Sequence, residues 1–151
     1  MKKIFVSLFI LIFLSNCGFS PIYSKKELSS YNVEVINSTG DRLINNLISN
    51  QLNRSEDKSS DNKINIDINM KYKKIISSKD ATGAAASYEL TVRTELRVSY
   101  VNDNKTFVFN ERFILDKNEN LLDEKNYEKT IKHSFASSIS SKMIRELNSF
   151  K

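Results

Sequence analysis

From residue 62 onward, apolar and polar residues alternate with a period of two. Ile64, Ile66, Ile68, Met70 and Tyr72 are interleaved with Asn65, Asp67, Asn69, Lys71 and Lys73. Such alternation marks a strand with one buried face and one wet face, and it predicts a strand over 62–76. A second alternating run follows over 87–101. Tyr88, Leu90, Val92, Leu96, Val98 and Tyr100 take one face, against Glu89, Thr91, Arg93, Glu95, Arg97 and Ser99. A third strand is predicted over 106–115, with Phe107, Phe109, Phe113 and Leu115 on one side. The polar Asn110 to Arg112 within it place part of that strand toward water or an edge. The small residues of 77–86 form a hairpin connection in which Gly83 supplies a positive φ at little cost. Residues 102–105 make a tight turn. Upstream, Tyr31, Val33 and Val35 alternate with Asn32, Glu34 and Ile36, a short strand over 31–36. Polar residues of 37–41 then precede a change of period. Leu43, Ile44, Leu47, Ile48 and Leu52 fall on one stripe at 3.6 residues per turn, predicting a helix over about 40–53. A charged loop over 54–62 separates it from the first long strand. After a loop at 116–122, a second helix is predicted over 123–150. Its stripe is Tyr127, Ile131, Phe135, Ile139, Met143 and Leu147, with Asp123, Glu124 and Glu128 in its first turns where the helix dipole favours them.

The order strand–helix–strand–strand–strand–helix, with one apolar face per element, predicts an α+β fold. It is a two-layer sandwich: a four-stranded, mostly antiparallel sheet packed against two helices. No repeat or boundary interrupts residues 31–151, which read as a single domain.

The N-terminus has a different pattern. Lys2 and Lys3 precede an apolar run from Ile4 to Leu14, then Ser15, Asn16 and Cys17, the only cysteine. A basic start, a short apolar run and small polar residues are the parts of a secretory signal. As a helix the run is about 16 Å long, too short for a hydrocarbon core of about 30 Å. Leu14-Ser15-Asn16-Cys17 looks like a bacterial lipobox, in which the cysteine is lipidated and becomes the first residue of the mature chain. Residues 1–16 are then a lipoprotein signal peptide and 17–30 a lipidated tether, extended around Pro21. An ordinary signal with a chance cysteine, or an uncleaved anchor, are the other readings. A lone thiol in an exported chain has no internal disulfide partner.

Loss of Lys2 and Lys3 with the signal lowers the formal charge from +5 to +3. That balance is too mild for a nucleic-acid-binding domain. Catalytic chemistry finds no constellation. The single histidine, His133, stands on the last helix, and a half-exposed surface role is its default. There is no Cys/His cluster for a metal, no phosphate-binding glycine loop and no nucleophile elbow. Asp61, Asp67 and Asp80 are scattered. The expectation is a protein that is not an enzyme and holds no metal or cofactor.

Two features exceed a bland surface. Lys71, Lys73, Lys74 and Lys79 gather at the end of one strand, with Arg93 and Arg97 on the next. Paired across a hairpin, they make a basic patch suited to phosphate or carboxylate groups; the competing reading is a solvated face partly neutralised by Glu89 and Glu95. The stretch Ala81 to Tyr88 is small and weakly charged. Such a loop inserts into a partner with little side-chain ordering, or is simply a mobile hairpin tip.

Cys17-Gly18-Phe19-Ser20-Pro21-Ile22-Tyr23 resembles the mature N-terminus of the lipopolysaccharide-assembly lipoprotein family LptE, in its alphaproteobacterial form. The helix Arg42 to Leu52 is similar to that family's first helix, and Thr82-Gly83-Ala84-Ala85-Ala86-Ser87-Tyr88-Glu89-Leu90 to its small-residue loop entering a strand. The similarity runs through the whole mature chain. It implies an outer-membrane lipoprotein, facing the periplasm, that sits as a plug in the LptD β-barrel translocon. Such a protein assists barrel assembly and lipopolysaccharide delivery, without catalysis or cofactor. The loop Ala81, Thr82, Gly83, Ala84 and Ala85 is then the part reaching into the barrel. Family members carry a lipopolysaccharide-contacting basic residue just before the loop glycine. Here that place reads Asp80-Ala81-Thr82, with Lys79 or Lys74 as nearby substitutes. A second basic position, before the last helix, is shifted to Lys125. The alternative is a stand-alone periplasmic-facing lipoprotein that binds a lipid or anionic ligand on the basic hairpin face.

Overall fold

A computed structural model describes residues 31–101 and 103–149. The signal peptide 1–16, the tether 17–30 with Cys17, residue 102 of the second turn, and residues 150–151 at the end of the last predicted helix lie outside the described residues. The elements are β1 (Asn32–Thr39), α1 (Arg42–Ser55), β2 (Lys63–Lys79), β3 (Ala85–Tyr100), β4 (Asp103–Asp116) and α2 (Leu121–Asn148). The predicted order and the α+β class hold.

The sheet order is β1-β2-β3-β4. β2, β3 and β4 form an antiparallel meander. β1 pairs with β2 in parallel, as a strand–helix–strand crossover requires. Val35 pairs with Ile66 and Asn37 with Asp67, so Ile36 is an extra residue in the ladder. That bulge lets β1 run past its predicted end to Thr39, and leaves Ile36 56% exposed.

Period two decides what is buried. Ile64, Ile66, Ile68 and Met70 of β2, and Leu90, Val92, Leu96 and Val98 of β3, lie on one face under the helices. α1 contributes Ile44, Ile48 and Leu52; α2 contributes Phe135, Ile139, Met143 and Leu147. Full burial of each such side chain stabilises by about 1.5–3 kcal/mol. Of the buried polar side chains, two carry an atom without a partner. Thr94, in phase with Val92 and Leu96, is fully buried with no hydrogen-bond partner for its hydroxyl, and the side-chain oxygen of Asn45 is in the same condition. Tyr127, predicted on the buried stripe, is half exposed and meets Phe113 edge-on with centroids 6.1 Å apart.

Capping fixes where the helices begin. Asp41 accepts from the amides of Leu43 and Ile44 at 3.0 and 3.1 Å. Asn120 accepts from the amide of Leu122 at 2.9 Å, so α2 begins at Leu121, two residues before its apolar pattern indicates. Chain direction also sets the long axis. Asn32 pairs with Lys63, at the opposite end of β2 from Lys79. Seventeen residues of extended chain put the β2–β3 turn about 50 Å from the point where residues 1–30 join the domain.

Candidate functional site

Three places carry the predicted site residues, and they differ in what they can do. The first is the seam between β2 and α2. Lys74 continues the inward phase of Met70 and Tyr72, so it points beneath α2 and not at solvent. Its ammonium group donates to Glu124 Oε1 at 2.8 Å and Glu128 Oε2 at 3.0 Å, and lies 4.4 Å from the Tyr88 ring centroid. The Tyr72 hydroxyl donates to Glu128 Oε1 at 2.7 Å. Lys132 bonds Asp41 at 2.8 Å, stands 3.5 Å from Glu128, and lies 4.2 Å from the centroid of the Tyr72 ring. This network ties the cap of α1, the middle of β2 and the first half of α2 together.

Its titrations follow from those contacts. Burial alone would raise the Asp41 carboxyl, but the Lys132 bond and charge and the two helix amides hold it below its ordinary value. The same balance holds Glu128 low: burial raises it, while Tyr72 and Lys74 together outweigh that. The Lys74 bond lowers Glu124. Lys74 itself is raised, because its bonds to the two glutamates outweigh the opposing effect of burial. Burial and then the Glu128 bond push the Tyr72 hydroxyl far up.

The second place is the β2–β3 turn. Ser78 and Ser87 share a 2.7 Å hydroxyl bond, and Lys79 pairs with Ala85. The strands therefore reach further than predicted, and only Asp80 to Ala84 remain as the tip. One carboxylate organises it. Asp80 Oδ1 accepts from the Thr82 amide at 2.8 Å, the Thr82 hydroxyl at 2.6 Å and the Ala84 amide at 3.1 Å. Those bonds, the Thr82 hydroxyl's foremost, lower the Asp80 carboxyl. Gly83 supplies φ +85°. Ala81, Thr82, Gly83 and Ala84 are exposed and Ala85 half-buried. Asp80, read in the sequence as one of several scattered acids, is the organiser of this turn; its spacing to Thr82 is a side-chain turn signal. Lys79 is exposed beside the tip, and Lys125 is exposed on the first turns of α2. The Lys74–Glu124 bond brings that helix end to the same region of β2. Lys74, Lys79 and Lys125 thus approach one end of the domain, but only Lys79 and Lys125 present free surface.

The third place is the sheet face turned away from the helices. Lys71 sits opposite Arg93, and Lys73 opposite Thr91. The next strand adds Arg112, opposite Thr91, which the sequence reading did not include because only pairing register brings it there. Arg97 is engaged by Glu95 at 2.8 Å. The predicted basic patch therefore divides: Lys74 joins the helical seam, while Lys71, Lys73 and Arg93 remain together outside. Among the described residues no group of acids, cysteines and histidines is arranged to hold a metal ion, and no helix is long and apolar enough to cross a membrane.

Solved structures of bacterial lipoproteins share this fold. The chain superposes on rare lipoprotein B of Shewanella oneidensis with a TM-score of 0.61, at 16% identity, covering 78% of this chain and 93% of that one. A lipoprotein B of Nitrosomonas europaea gives a TM-score of 0.58 at 18% identity, with 83% of this chain and 86% of that chain covered. No family model and no curated protein matches the sequence.

Proposed function

We propose that this chain is a lipid-anchored outer-membrane protein of the LptE type. In this reading it plugs an LptD-type β-barrel, helps assemble it, and assists transport of lipopolysaccharide to the cell surface, without catalysing a reaction or holding a cofactor. The observation that carries the reading is the shared fold with rare lipoprotein B, a protein also named LptE, over most of both chains. The residues from Cys17 to Tyr23 and from Thr82 to Leu90 point the same way. The long axis supports it too: a turn of small side chains stands about 50 Å from the anchored end, where it can enter a lumen without steric bulk. A barrel interior is polar, and the Asn- and Ser-rich exterior of this domain suits enclosure there. Cys17 supplies the membrane attachment; Lys79 and Lys125 are exposed cations toward the tip end for lipopolysaccharide phosphates, with Lys117 beside the tip itself.

Co-expression of the full chain with a candidate barrel, followed by tag capture from detergent-solubilised membranes, tests the reading. A stoichiometric large β-barrel partner is the expected result, with loss of surface lipopolysaccharide on depletion. Recovery as a lone monomer overturns it, in favour of a stand-alone lipoprotein that uses the basic sheet face for an anionic ligand. The anchor has its own test: acyl labelling and membrane partitioning should both vanish in Cys17→Ala.

A further inference from the structure

The outward face of the sheet holds an unexplained charge arrangement. Lys71 and Arg93 are direct cross-strand neighbours, and Lys73 and Arg112 flank them in the next row. The four line one shallow groove of about 370 Å³. Like charges placed directly opposite each other on a sheet are destabilising. The two acids of β3 on this face are engaged by other cations: Glu89 is taken by Arg112 at 2.7 Å and Glu95 by Arg97 at 2.8 Å. Among the described residues, no ion pair joins Lys71, Lys73 or Arg93 to a carboxylate. All three are exposed. Nothing in the fold needs this cluster, so its use lies outside the domain.

We infer that this strip is the contact by which the domain seats against a carboxylate-bearing protein wall, the inner wall of its barrel partner. The inference rests on the plug reading and adds the face and the chemistry of the contact. A sheet directs neighbouring side chains along roughly parallel lines from a broad surface. A single phosphate or headgroup is held by donors that converge; parallel cations several ångströms apart match separate acids spread over a second surface. The extent fits as well. Four strands at about 4.8 Å spacing, three of them about 50 Å long, offer a footprint on the order of 800 Å², the per-partner area of an ordinary stable interface.

The experiment is the capture assay with the full chain, comparing the unmutated protein, the triple variant Lys71→Glu/Lys73→Glu/Arg93→Glu, and a control reversing Lys58 in the α1–β2 loop and Lys129 and Arg145 on α2 to Glu. The sheet-face triple should weaken barrel binding on the order of 100-fold at low salt. The control should stay within threefold, and added salt should weaken the unmutated complex. Thermal melting checks folding: the reversal leaves like charges facing each other at positions 71 and 93 as before, so the triple should melt close to the unmutated chain. Binding by the triple within threefold, or equal loss in the control, overturns the inference and leaves the plug reading standing. Absence of any complex with the unmutated chain removes both. The Cys17→Ala chain is also offered to phosphatidylglycerol vesicles. If the triple abolishes that binding yet keeps the barrel, the strip serves a lipid headgroup and the inference fails.

Discussion

Gly40 joins β1 to α1 at φ +111°. A Cβ there would lie 2.2 Å from the carbonyl oxygen of Met70, 2.9 Å from its carbonyl carbon and 3.0 Å from its Cβ. All three belong to, or sit directly on, the backbone of an interior strand, so no flexible group can swing aside. In Gly40→Ala the turn must lift by about 1 Å to reach ordinary contact. Two costs combine: about 1–2 kcal/mol for an L-residue at positive φ, and about 1–3 kcal/mol for displacing packed structure. They sum to about 2–5 kcal/mol, and a loss near the middle of that range, about 3–4 kcal/mol, is expected. The lift also moves Asp41, which caps α1 and holds Lys132 at 2.8 Å. Gly83 is the internal control. Its φ is +85°, but an added Cβ meets nothing within 4 Å, so Gly83→Ala should cost only about 1 kcal/mol. At roughly 3–6 °C per kcal/mol for a domain of this size, Gly40→Ala should melt about 10–20 °C lower and Gly83→Ala about 3–6 °C lower. Circular dichroism melts on the Cys17→Ser chain measure both. Equal losses in the two variants would refute the reasoning, because the contact with Met70 would then contribute nothing.

Lys74→Met should cost about 1–3 kcal/mol in urea denaturation, since it leaves Glu124, whose side chain is 8% exposed, without its cation; an unchanged midpoint would show the seam to be an ordinary surface pair. Stability should fall at both pH extremes. Asp41, Glu124 and Glu128 are held low when folded, so their contribution is present above the ordinary carboxylate range and lost as pH drops through the lowered values. Lys74 and Tyr72 are raised when folded: the Lys74 contribution is lost as pH climbs through its raised value, and ionisation of Tyr72 in the unfolded chain erodes stability above about pH 10. Glu128→Gln should flatten both limbs, and a parallel profile would contradict the network. Thr94→Val keeps the shape and removes an unpartnered buried hydroxyl, so it should stabilise by about 1–2 kcal/mol by calorimetry. Val101 is a β-branched residue at φ 51° and 85% exposed; Val101→Asn should raise the melting point by about 3–6 °C, corresponding to about 1 kcal/mol, and a decrease would count against turn strain.

The chain's own pattern determined the element order, which side of each strand is buried, and the place of both helices, because solvent exclusion acts on side-chain periodicity that any single strand or helix already displays. Even the fate of Lys74 was latent there: it is in phase with Ile68, Met70 and Tyr72, and so belongs under a helix. Its placement among the free cations came from weighing charge alone. Tertiary structure decided what depends on two segments at once. The parallel pairing of β1 with β2 and the bulge at Ile36 arise from ladder register, not from either strand separately. The pairing of Lys79 with Ala85 decided how short the tip around Asp80 is. Arg112 joined Lys71, Lys73 and Arg93 because β4 brings it across from β3. Charges distant in sequence share a face only after the sheet has chosen its partners, and no local propensity encodes that choice.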